Sequence, residues 1–173
     1  MKNRFTSTSP WCRVMGPIVI LLAAAILPSC GEDNASGLPP AQRSAILVGV
    51  DPNPVIGVQN VLTGAVSAAY IVQIRELAGL GGEVRFINST VFDPETGLQV
   101  AVNFFDNDAL KVFVGESRIE PNGELDVPQT VNYVLPDFRV EADLTVAVQF
   151  QDDRGSVINR TILVSIVPPP VPE

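Results

Sequence analysis

Histidine is missing from this chain, and cysteine occurs only twice, as Cys12 and Cys30. The one tryptophan, Trp11, stands near the start, and past residue 30 there is a single lysine, Lys111. Each scarcity removes a class of chemistry. Without histidine there is no Ser-His-Asp or Cys-His nucleophile and no histidine-ligated zinc or iron. A Ser–Lys pair would have to use Lys111, which lies in an alternating stretch with no serine aligned to it. Gly115-Glu116-Ser117-Arg118-Ile119 begins like a nucleophile elbow but lacks its closing glycine. Gly79-Leu80-Gly81-Gly82 leads into a strand pattern, so it reads as a turn and not as a dinucleotide fingerprint. The residues point away from an enzyme.

Positive charge is also scarce, with 11 bases against 19 acids and a formal charge of −8. Three of the bases, Lys2, Arg4 and Arg13, precede residue 17, so 8 face 19 beyond it and the balance there is −11. A domain so acidic has no basic patch for nucleic acid, nor for anionic lipid headgroups. Long apolar runs are few. The only sustained one, residues 17–27, reaches about 17 Å as a helix, short of a bilayer core of roughly 30 Å.

That run has the length of a signal h-region behind a basic n-region. It ends in Leu27-Pro28-Ser29-Cys30, which resembles the lipobox of bacterial lipoproteins, with Pro28 departing from the usual residue at its place. The resemblance implies cleavage before Cys30 and acylation of that cysteine, palmitate included, which would hold the chain on a membrane. Two or three acyl chains, at about 0.8 kcal/mol per buried methylene, anchor a protein durably where one does not. The alternatives are an ordinary secretory signal or an uncleaved anchor. Gly31 stands where an aspartate would favour the inner membrane, so by analogy the cell outer membrane is the expected location. With Cys12 lost and Cys30 acylated, no disulfide can form.

Residues 1–29 are therefore the leader, and 30–44 (CGEDNASGLPPAQRS) a polar, aperiodic tether. From Ala45 to Val167 the texture is β: Val, Ile and Thr are frequent, apolar and polar residues alternate, and turn clusters recur. About 125 residues suffice for one core and not for two. Tyr70, Val72 and Ile74 share a face, as do Leu144, Val146, Val148 and Phe150, and then Ile158, Ile162, Val164 and Ile166. Val84 and Phe86 are expected inward, with a bulge at Asn88-Ser89-Thr90, and Leu110–Ile119 is expected as a strand paired with Leu98–Phe105. The whole resembles an immunoglobulin-like or fibronectin-type antiparallel β-sandwich of about seven or eight strands. The cysteine–tryptophan core of antibody domains is lacking. Residues 168–173 form a proline-rich tail.

Calcium is the one ion with a claim, since it takes clustered oxygen ligands. Asp106, Asp108, Asp152 and Asp153 are the candidates, with Asp51 and Asn53 behind them. The same residues are ordinary turn formers, and Leu110 and Lys111 break the EF-hand pattern. The reading is a membrane-anchored, non-catalytic module that binds or scaffolds a protein or glycan partner, through the loops Gly79–Gly82, Pro94–Gly97 and Pro121–Gly123 or through an open edge strand. A structural spacer or accessory subunit of an envelope assembly is the alternative, and a calcium-dependent hydrolase fragment a more distant one.

Overall fold

A computed structural model describes residues 44–170; the leader, Cys30 and most of the tether lie outside the described residues. Nine strands follow in order: β1 (Ile46–Asp51), β2 (Val55–Gln59), β3 (Ala65–Glu76), β4 (Gly82–Phe92), β5 (Gln99–Asp106), β6 (Arg118–Ile119), β7 (Glu124–Val134), β8 (Ala142–Asp152) and β9 (Val157–Val167). One short helix, α1 (Asn107–Phe113), separates β5 from β6, and a single 3-10 turn, Pro136–Phe138, separates β7 from β8. Residues 44–170 form an immunoglobulin-like β-sandwich, antiparallel except where β2 meets β9, with nine strands where about seven or eight were expected.

Two layers account for the pairing. In the first, β3 lies between β7 on one side and β1 and β2, end to end, on the other. In the second, the order is β5-β4-β8-β9, with β6 beside the start of β4. The layers are stitched where β2 runs parallel to the end of β9, Val55 opposite Ile166. Asp51-Pro52-Asn53-Pro54 divides β1 from β2, as expected where two prolines interrupt a ladder.

The inward parity of each strand fills the space between the layers. Val66, Ala68, Tyr70, Val72 and Ile74 of β3 and Leu125, Val127, Val131 and Tyr133 of β7 meet Leu144, Val146, Val148 and Phe150 of β8. Val164 and Ile166 are buried too, while Ile158 and Ile162, further back on β9, are only partly covered. Burying a Val, Leu, Ile or Phe side chain contributes about 1.5–3 kcal/mol, so this set is the main favourable term of the fold.

Three local expectations are corrected. Leu110–Ile119 is not one strand paired with β5: it holds most of α1, a loop, and the two-residue β6, which pairs with β4. The Asp106 carboxylate accepts the Ala109 N–H at 2.8 Å, capping α1, and Leu110 is fully buried while Val112 is 89% exposed. The alternation of Leu110, Val112 and Val114 imitated a strand, but the cap and one buried anchor favour a turn of helix. The bulge in β4 is not at Asn88–Thr90. The register shifts between Val84 and Phe86, leaving Arg85 as the extra residue, and again between Val91 and Phe92. The shift turns Ile87, Ser89 and Val91 inward and moves Phe86 to the exterior, where its ring lies 5.8 Å from that of Phe104. Ser44, assigned to the tether, is held: its hydroxyl donates to Asp152.

Candidate functional site

Beginning with the carboxylates, each buried one serves the fold. Glu76 continues the inward parity of Tyr70, Val72 and Ile74 to the end of β3 and is 1% exposed. Its carboxylate accepts N–H bonds from Ala78 and Gly79, both at 2.7 Å, and from Asn122 at 2.9 Å. Burial raises its pKa, but the N–H donors of Asn122, Ala78, Gly79 and Leu80 outweigh that and hold it below the usual value. One side chain thus organises two of the loops expected to bind. Parity alone could have singled it out.

Asp152 is similar. Burial pushes its pKa up, whereas Ser44 Oγ and the N–H groups of Ser156 and Arg154 bring it below the ordinary range. Asp153 is held down chiefly by a two-pronged contact with the Arg118 guanidinium, both prongs 2.8 Å. Asp93 is held down first by the Thr96 hydroxyl at 2.8 Å, and Arg139 adds an ion pair at 3.2 Å.

The four calcium candidates do not meet. Asp106 is in register with Phe86 on one side of β4; Asp152 is in register with Gly82, four residues away on the other. Asp106 caps α1 and Asp108 sits in its first turn. Among the described residues no three acidic side chains converge as ion ligands. The nominated loops are also divided. Gly79–Gly82 and Pro121–Gly123 gather around Glu76, with the Asp152–Gly155 turn joining through Asp153 N–H to the Gly81 carbonyl at 3.3 Å. Pro94–Gly97 lies at the opposite end of β4.

What the sheets do present is a surface. Reading across the β5-β4-β8-β9 layer, the exterior rows are Asp106, Phe86, Gln149, Asn159; then Phe104, Asn88, Ala147, Thr161; then Val102, Thr90, Thr145, Leu163; then Gln99, Phe92, Asp143, Ser165. The two central rows carry no charge. Phe104 is 60% exposed, Val102 50% and Leu163 68%, so apolar side chains stand at both edges of a face flanked by Asn, Gln and Thr. Asn88 Oδ1, near its middle, is buried without a donor. No helix among the described residues is long and apolar enough to cross a membrane.

A cleft of about 660 Å³ adjoins the other margin of β5, where Asn103, Phe105 and Phe113 face Pro128, Gln129 and Thr130 of β7. Asn103 Nδ2 donates to the Thr130 carbonyl at 2.7 Å across it. Beneath, Gln129 Oε1 accepts from Tyr70 at 3.0 Å and Ser89 at 2.7 Å, tying the two layers together. Burial pushes the Tyr70 hydroxyl up to about 12, so it stays a neutral donor. Sequence reading took Ser89 for part of a bulge and passed over Gln129; the signal of a buried polar pair was the break in the apolar parity at both.

No protein-family model and no curated protein matches the sequence. Solved structures do. The ApaA-assigned protein of Bordetella pertussis aligns with 76% of this chain and 100% of its own, at TM-score 0.58 and 12% identity. The structural-genomics target SoR45 aligns with 72% of this chain and 87% of its own, at TM-score 0.55 and 15% identity. At such identities the likeness concerns the fold alone.

Proposed function

We propose that this chain is a lipoprotein of the bacterial cell envelope, acylated on Cys30, whose β-sandwich is a non-catalytic module that binds a protein or glycan partner. The observation that carries the binding reading is the uncharged middle of the β5-β4-β8-β9 exterior, between rows that hold Asp106 and Asp143. In a chain with 19 acids and 11 bases, the two central rows of that face contain neither. Exposed Phe104, Val102 and Leu163 there leave apolar area in water, which a monomer gains nothing by presenting. The absence of histidine and thiol from the domain, and the structural employment of Glu76, Asp93 and Asp152, support the non-catalytic part. Gly31 after the acylated cysteine favours the outer membrane.

Two experiments test the reading. Radiolabelled palmitate enters the parent and not Cys30→Ala, which leaves the membrane fraction; equal fractionation of both overturns the anchor. Crosslinking in intact envelopes recovers a partner with the parent and loses it with Phe104→Ser plus Leu163→Ser. Recovery of nothing by the parent would instead favour a spacer.

A further inference from the structure

The chain turn at Asp51–Pro54 takes β1 away from the ladder that β2 forms with β9. β2 accompanies β9 only at Ile166 and Val167, and the turn then directs β1 onto β3. β1 approaches β9 across the seam between the layers but shares no ladder with it. Residues Val157–Ser165 are therefore hydrogen-bonded on the β8 side only, an open edge of about 30 Å at 3.3 Å per residue. The edge of β7 is managed differently. Pro128 offers no N–H there, and Asn103 already occupies the Thr130 carbonyl.

The core-side positions along the open edge are Ile158, Arg160, Ile162 and Val164. Arg160 stands opposite buried Val148, in a row whose other members, Val148, Ile87 and Phe105, are apolar. Arg75, Arg85, Arg118 and Arg139 are ion-paired, and Arg154 is engaged as well. Arg160 alone among the arginines described has a guanidinium without a hydrogen bond or ion pair, in a chain rich in acids. Partly covered Ile158 and Ile162 flank it two residues away on the same side.

Resting on the reading of the domain as a binding module, we infer that the Val157–Ser165 edge takes an extended peptide segment of a partner protein, with a carboxylate side chain facing Arg160 and an apolar residue two positions to either side. The added strand supplies main-chain hydrogen bonds, which are indifferent to sequence, while Arg160 and the two isoleucines select. The apolar residues cover Ile158 and Ile162; the carboxylate meets a solvent-exposed cation that has no partner of its own.

The competing role for an inward arginine on an edge is to repel stray strands, and the test separates the two. The probes are acetyl-Thr-Val-Thr-Glu-Thr-Val-Thr-amide and its Glu→Lys counterpart, labelled with fluorescein. Each is titrated by anisotropy into the full-length protein in detergent. The expected result is at least tenfold tighter binding of the Glu peptide, reversed in Arg160→Glu, with amide shifts confined to Val157–Ser165 in NMR spectra. Equal affinity for both peptides, no binding, or shifts elsewhere overturns the inference. So does Arg160→Val self-associating while the parent ignores both peptides, which assigns Arg160 to protection. A partner recovered from envelopes by Arg160→Glu but lost by the Phe104→Ser, Leu163→Ser variant leaves the binding module standing and removes only the edge.

Discussion

Replacing Glu76 by Gln keeps the side chain's shape and withdraws its charge. In the parent, Oε1 takes the Ala78 N–H and Oε2 takes those of Gly79 and Asn122, at 2.7–2.9 Å. An amide has one acceptor oxygen. Placed toward Gly79 and Asn122, it keeps two bonds in weaker, uncharged form and turns its NH2 against the Ala78 donor. A buried donor left unmet costs about 1–3 kcal/mol, and each charge-assisted bond exceeds its neutral counterpart by about 1 kcal/mol. The expected loss is about 3 kcal/mol, or roughly 10 °C in Tm for a domain of this size. Urea unfolding at neutral pH measures it, with the m-value unchanged. The pH dependence supplies a second check. Glu76 titrates below the ordinary glutamate value of 4.5 in the folded state. Its contribution is thus complete above that value and disappears as pH falls through the lower folded pKa. Parent and variant should therefore converge in stability on acidification from about pH 5. A loss under about 0.5 kcal/mol, or one independent of pH, would refute the latch.

Other perturbations follow from the same structure. Asp106→Ala removes the α1 cap and should cost about 1 kcal/mol in urea unfolding, against nearly nothing for the exposed neighbour Asp108→Ala. Gly82→Ala should prevent β4 from closing on β8, because a Cβ there meets the Gln151 carbonyl and the Phe150 ring; soluble expression and Tm both fall sharply, and an unchanged melting curve would contradict the packing. Millimolar calcium should leave the Tm where chelator leaves it, since Asp106 and Asp152 lie on opposite sides of β4 and the latter already takes protein donors.

The alternation of apolar and polar residues dictated most of the strands and their inward faces, because a period of two is a property of neighbours along the chain. The last hairpin, Ala142–Val167, is the plainest case: Leu144, Val146, Val148 and Phe150 are buried as their spacing requires. The missing histidine likewise needed no coordinates to rule out histidine-based nucleophiles and metal ligands within this sequence. Position 110 shows where such reading fails. Leu110, Val112 and Val114 alternate like a strand, yet no partner strand stands there, and the Asp106 cap settles the segment as helix. Arg85 failed for the same reason, since a bulge is defined against the opposing strand and Phe150 and Gln149 lie some sixty residues on.

Of the candidate surfaces, the sequence held the ingredients and tertiary packing assembled them. Phe86 and Phe104 are separated along the chain, and only the β4–β5 register brings their rings together on the outer face of that layer. Glu76 and Arg160 both broke an inward apolar pattern in plain sight. What distinguishes them is non-local: loops 77–82 and 120–123 close over the first with their N–H groups, while β1 turns aside to β3 and leaves the second at an open edge. Local periodicity sets which way a side chain points; the chain that arrives opposite decides whether it finds a partner.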